Sequence, residues 1–203
     1  MTEISELSLD GLNLRIQACT ACDLSRGRVR GVPGEGPTDA AIMFIGEAPG
    51  FNEDQQGRPF VGAAGQFLEQ LLASIRMKRD GVFITNVVKC RPPNNREPLP
   101  GEILACRKYL DQQIALIHPR MIVTLGRHSM ARYFPNESIS KVHGKPHKID
   151  GVIYFPMYHP AAALHQGNLR KTIETDMLRI PVSLAEASQV ADKVAEPKQL
   201  NLL

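Results

Sequence analysis

The sequence predicts an α/β domain built around a mainly parallel β-sheet, and three observations carry that reading. Short apolar runs alternate with longer amphipathic stretches, as they do when strands and crossover helices take turns along a chain. Glycine and proline mark the joints, at Pro33-Gly34, Pro49-Gly50, Pro92-Pro93 and Gly101. With 203 residues, 43% of them hydrophobic, the chain can bury one substantial core, and nothing in it calls for a second domain.

The elements follow in order. Polar and apolar residues recur at helical spacing over Ile4–Ala18. The apolar run Ala41–Ile45 reads as the first strand, and the amphipathic stretch Ala64–Arg76 as the helix after it. A strand over Val82–Val88, a helix over Glu102–Ile117, a strand over Met121–Leu125 and a helix over His128–Phe134 continue the alternation. The strand Val152–Phe155 and the helix Lys171–Ala185 complete it, giving four strands in all. One domain over residues 1–187 is expected, followed by a polar, flexible tail over 188–203. No internal repeat appears, and no apolar stretch approaches the length of a transmembrane helix, so no membrane partner is expected.

Cys19 and Cys22 form a C-x2-C pair, while Cys90 and Cys106 form a distant C-x15-C pair, and all four fall near basic residues. The opening segment lacks the apolar core of a secretory signal, so a reducing, cytoplasmic setting is expected, where structural disulfides are rare. Four thiolates supply a tetrahedral sulfur set for a metal centre. Spacing alone leaves Zn2+ and an iron–sulfur cluster both open.

In a parallel sheet, ligands bind beyond the carboxyl ends of the strands. There this sequence places Gly46-Glu47-Ala48-Pro49-Gly50, then Glu53 and Phe60, then Asn86 near the end of the second strand, then His159-Pro160 after the last. Each has a plain alternative: a glycine turn, a core phenylalanine, a turn-forming asparagine, a structural histidine. Together they bring carboxylate, aromatic ring, amide and imidazole to one edge, which is how a small pocket with a few directional polar groups is made.

Three segments, GEAPGFNEDQQGRPFVGAAGQFL, ITNVVKCRPPNNREPLPGEILAC and FPMYHPAAAL, taken with Cys19 and Cys22, resemble the family 4 uracil-DNA glycosylases, the iron–sulfur branch of their superfamily. The resemblance runs from about Cys19 to Leu164. It implies a three-layer α/β/α sandwich, a [4Fe–4S] cluster on the four cysteines, and hydrolysis of the N-glycosidic bond of deoxyuridine in single- and double-stranded DNA. The enzyme would act as a monomer and leave an abasic site for downstream repair enzymes. A sliding clamp is a further partner to consider, although no confident motif for one stands in the tail.

The resemblance also implies roles. Phe60 would stack on the flipped uracil and Asn86 would read its Watson–Crick edge, accepting from N3–H and donating to O4. Glu53 is the candidate wall against the thymine methyl. His159 would donate to the departing O2, and Glu47 would orient water or balance charge on the sugar, with the amides around Gly46, Ala48 and Gly50 adding to the field. Ala48 stands where the best-known family of the superfamily carries a water-orienting aspartate. The family leucine four residues after the histidine is replaced by Ala163, so Leu164 is the expected wedge into the duplex. A covalently trapping branch carries a basic, histidine-ended insertion before the last cysteine; this chain lacks it, so turnover is expected.

Arg91, Arg96, Lys141, Lys145 and Arg170 flank these segments and are candidate phosphate contacts, although a formal charge of +3 is only weakly basic. Arg26, Arg28 and Arg30 form another loop-borne basic group, and Lys89 reads with Arg91 and Arg96 as loop-borne charge of the same kind. Two other classes compete: a non-catalytic nucleic-acid-binding module, against which intact Glu47, Asn86 and His159 speak, and a zinc hydrolase, for which the six histidines offer no H-E-x-x-H pattern.

Overall fold

The computed structural model describes residues 8–195, with side chains through residue 186. A five-stranded sheet runs through the molecule in the order β2-β1-β3-β5-β4: β1 (Ile42–Gly46), β2 (Phe83–Asn86), β3 (Met121–Leu125), β4 (His147–Ile149) and β5 (Val152–Met157). The first three and β5 are mutually parallel, while β4 pairs antiparallel with β5. The sequence reading of four strands is corrected by β4. It is three residues long and mostly exposed, so it has no apolar run to betray it. A usable signal was present in Asp150-Gly151: both take positive φ (49° and 83°), the conformation that a two-residue hairpin turn with the twist of its strands requires.

Both faces of the sheet are covered. Alternate residues of β1 divide between two cores: Ile42 and Phe44 join one with Phe67, Leu68, Leu71, Phe155, Ile173 and Met177, and Met43 and Ile45 join another with Leu12, Ile16, Tyr109 and Leu110. The first core is formed under α4 (Ala63–Ser74) and α9 (Gly167–Ala195), the second under α1 (Leu9–Gln17) and α5 (Pro100–Ile117). This is the expected α/β/α sandwich. Ser8 caps α1, its hydroxyl accepting from the Gly11 amide at 3.1 Å, and residues 4–7 of the expected first helix lie outside the described residues. Proline opens both α5 and α8 (Pro160–His165), where a missing N–H costs nothing.

Short helices occupy the connections: α2 (Leu24–Gly27), α3 (Phe51–Gln56), α6 (Arg127–Ala131) and α7 (Ile139–Val142). Helix α9 continues to Ala195, so its backbone stays helical past residue 188, where the sequence suggests the tail begins; residues 196–203 lie outside the described residues. Among the described residues, no helix is long and apolar enough to cross a membrane.

Candidate active site

The carboxyl ends of β1, β2 and β5 open onto a cavity of about 320 Å3 lined by Glu47, Ala48, Gly50, Glu53, Phe60, Asn86 and His159, together with Pro49, Ala64, Pro92, Asn95, Arg96 and Ala161. Gly46 stands behind this lining, opposite Asn86 in the β1–β2 register. A Cβ there would lie 2.4 Å from Asn86 Oδ1 and 2.6 Å from Phe60 Cζ, so only glycine leaves room for both the amide and the ring against this strand end. Asn86 is 2% exposed, and its Oδ1 has no hydrogen-bond partner among the described residues. A buried acceptor left open costs about 1–3 kcal/mol, and at a cavity wall it is an empty place for a ligand's N–H.

Phe60 sits in the left-handed region, at φ 51°, a conformation a bulky residue adopts only under constraint. Three groups supply the constraint. Glu53 accepts from the amides of Val61 (2.9 Å) and Gly62 (2.8 Å) on the Phe60 loop and from Gly50 (3.1 Å) at its own helix start. Arg79, itself paired with Glu35, donates from Nη1 to the Phe60 carbonyl at 2.9 Å and also bonds the Pro59 carbonyl. Gly65 in α4 allows the helix to close over that carbonyl, since a Cβ would stand 1.8 Å from the oxygen. Glu53 thus lines the cavity while its carboxylate ties two loops together.

The His159 ring stacks against Phe60, with centroids 5.6 Å apart and planes 26° from parallel. Its Nδ1 accepts from the Ala161 amide at 3.1 Å, which assigns the proton of a neutral ring to Nε2. Burial pushes its pKa down to about 4, against a smaller opposing pull from Glu53, so the imidazole is neutral at physiological pH. Glu47 is held differently. Burial raises its carboxyl pKa, His128 opposes that with Nε2 at 3.7 Å, and Glu97, itself 3.2 Å from the same nitrogen, adds to the rise.

The four cysteines are free and line one small cavity with Ile16, Lys89 and Tyr109. Among the described residues, no three Cys, His, Asp or Glu side chains converge as a single metal ion would require. The donors around the sulfurs suit a sulfur-bound group. Arg28 Nη1 reaches Cys90 Sγ at 2.8 Å, the Lys89 amide Cys106 Sγ at 3.3 Å and the Ala21 amide Cys19 Sγ at 3.4 Å. Arg28 is therefore turned toward the cysteines, with further bonds to the carbonyls of Ile16 and Cys19, and its reading as part of an outward basic group is corrected. Burial raises the thiol pKa of Cys90, and that of Cys106 to about 11, so binding a metal must displace protons.

The outlying candidates separate by exposure and engagement. Leu164 is 46% exposed on α8, whereas Ala163 beside it is buried in the core. Arg91 lies over the Phe51 ring and donates to Asn95 Oδ1 at 2.7 Å. Arg96 forms a two-point ion pair with Glu102. Arg170 covers Phe67 at 4.4 Å and bonds Gln70 and Glu174, so its guanidinium is largely occupied in joining α9 to α4.

The reading of Lys89 as loop-borne surface charge is corrected, because it lies at the centre of a buried network between the two sites, which sequence reasoning missed. Lys89 is 1% exposed, and its ammonium donates to Thr85 Oγ1 (2.6 Å), Gln113 Oε1 (2.6 Å) and the Asn86 carbonyl (2.8 Å); Gln113 and Thr85 in turn both donate to the Pro33 carbonyl. The signal was a polar residue at a core position. Gln113 falls on the buried stripe of α5 with Cys106, Tyr109, Leu110 and Ile117, and Lys89 interrupts an apolar run. Arg79, His128 and Glu97 were also missed, and they have no motif around them.

The profile of the Uracil DNA glycosylase superfamily matches residues 33–179. The type-4 uracil-DNA glycosylase of Sulfurisphaera tokodaii is 53% identical over 183 residues, covering 85% of this chain and 83% of its own length. That of Saccharolobus solfataricus is 49% identical over 190 residues, 87% and 88% of the two chains, and that of Thermotoga maritima 44% identical over 168, 80% and 88%. The open amide, the constrained ring and the neutral imidazole thus stand in a chain that belongs to the uracil-DNA glycosylase superfamily, and within it to the type-4 family.

Proposed function

We propose that the chain is a DNA-repair glycosylase that hydrolyses the N-glycosidic bond of deoxyuridine, releasing uracil and leaving an abasic site. The observation that carries this is the unpaired Oδ1 of buried Asn86 beside Phe60 and His159. A uracil turned out of the stack would lie against Phe60 and give its N3–H to Oδ1. Cytosine offers a lone pair at N3 and an amino group at C4, so a fixed amide meets it with two mismatched groups, at about 1–3 kcal/mol each. Glu53 closes the wall that turns away a 5-methyl group.

Cleavage leaves negative charge on the base and positive charge on the sugar. His159, neutral with its proton on Nε2, donates to O2 as charge accumulates there. Glu47 faces the sugar and orients water, the task that Ala48 cannot perform. Leu164 fills the gap in a duplex, and the enzyme also accepts single strands, where no gap forms. Monomeric action in the cytoplasm, with the abasic site passed to downstream repair enzymes and a sliding clamp as a further contact, completes the proposal.

The four cysteines would hold a [4Fe–4S] cluster, a group bound by four thiolates, and all four line one cavity. When bound, it supplies four metal–sulfur bonds that fasten the segment after α1, the loop after β2 and α5 to one another. Incubating the protein with oligonucleotides carrying one uracil, thymine or cytosine tests the function. Alkali-labile sites are expected only at uracil; their absence with protein of intact visible absorption would favour a non-catalytic DNA-binding module.

A further inference from the structure

The chemistry above makes no use of Phe51, although it directly follows a residue of the cavity lining. It is the first residue of α3, next to Gly50, and is 54% exposed. Arg91 holds its guanidinium carbon 5.0 Å from the ring centroid, and its Nε is fixed by Asn95, which lines the same cavity. Asn94 and Asn95 both take left-handed backbone (φ 54° and 55°), the conformation that asparagine tolerates better than most residues, so the loop is shaped to bring Arg91 over the ring. An exposed aromatic surface beside a guanidinium plane, at the rim of a pocket that takes one base, is suited to the next base along the strand. Aromatic and arginine planes stack on any base, and the positive charge suits the adjoining phosphate.

We propose that Phe51 and Arg91 form a stacking subsite for the nucleobase flanking the uracil in the strand being read. The inference rests on the glycosylase reading of the cavity, and it assigns to Arg91 a planar contact with a base in addition to phosphate attraction. Because stacking is indifferent to base identity, the subsite grips the strand without adding sequence preference. It serves single-stranded DNA most, where a neighbouring base is free to leave its own stack.

The test measures equilibrium binding of wild type and Phe51→Ala to short single strands carrying a non-cleavable deoxyuridine analogue. The nucleotide on its 5′ or 3′ side is either normal or an abasic analogue. Wild type is expected to bind about tenfold more weakly when one particular flank lacks its base. Phe51→Ala should bind the normal strand about tenfold more weakly and lose nothing further at that flank. Two independent penalties that multiply, or normal binding by the variant, would overturn the subsite. A loss that follows Arg91→Ala alone, disappears at high salt and ignores the flanking base would reduce the contact to a phosphate and equally overturn it. Uracil release by wild type is measured alongside on cleavable strands: its absence would sink the glycosylase reading, while the binding comparison would still decide the stacking.

Discussion

Substituting Gly46 by alanine probes the recognition pocket with one methyl group. The new Cβ would stand 2.4 Å from Asn86 Oδ1, and 2.6 and 2.7 Å from Phe60 Cζ and Cε2. To reach an ordinary contact of about 3.4 Å, the amide must retreat by about 1 Å, and the ring by nearly as much. Both clashes involve ends of side chains, so the backbone can stay in place. Overpacking of this kind costs about 1–2 kcal/mol, or roughly 3–6 °C in Tm for a chain of this size. Function should suffer far more, because misplacement by about 1 Å at a reacting centre costs on the order of a hundredfold. Single-turnover release of uracil from a single-stranded oligonucleotide, run beside thermal unfolding, separates the two effects. Gly46→Ala is expected to stay folded and lose about a hundredfold in kcat/KM. Wild-type kcat/KM in a folded variant would refute the packing of Asn86 and Phe60 against Gly46 as the basis of recognition.

Other predictions follow from groups whose partners are known. His159 has its pKa lowered from 6.5 to about 4, so the unfolded chain takes up the proton first; stability is untouched above about pH 6.5 and falls by up to about 3 kcal/mol as pH drops toward 4. Urea unfolding of His159→Gln should lack that component, and an unchanged pH dependence would contradict it. Lys89→Met leaves Thr85, Asn86 and Gln113 without their shared donor and should cost about 3 kcal/mol in urea unfolding, with part of the loss recovered on adding Gln113→Leu. Glu53→Ala frees the amides of Gly50, Val61 and Gly62; about 2 kcal/mol of stability should go with them, and a variant as stable as wild type would show that the Phe60 loop holds itself. Leu164→Ala should slow excision from duplex more than from single strands, and duplex excision as fast as that of wild type would remove the wedge.

The fold was legible wherever a strand was buried on both faces. Ile42–Gly46 and Met121–Leu125 are wholly buried and read as near-continuous apolar runs, whereas His147–Ile149 lies at the sheet edge, where exposure erases the pattern. The pocket was legible because its residues cluster in short segments that end strands. Their supports were hidden for a physical reason: Arg79, held by Glu35, reaches Phe60 from a separate part of the chain, and a single arginine carries no mark of the carbonyl it will bind. Arg28 illustrates the converse. A basic residue in a basic loop reads as surface charge, yet its donors meet Cys90 Sγ and three carbonyls, which no spacing rule foretells. The protonation of His159 also needed three dimensions, since it depends on burial and on the Ala161 amide at Nδ1.

The central claim is that the open Oδ1 of Asn86 receives the N3–H of uracil. The most direct measurement compares release of the base from strands identical except for deoxyuridine or N3-methyl-deoxyuridine. The methyl group removes the only hydrogen that Oδ1 can accept and sets a carbon in its place. Release from deoxyuridine with at least a hundredfold loss on N3-methylation is the predicted result. Equal release of both bases would contradict it and place recognition elsewhere than on Asn86.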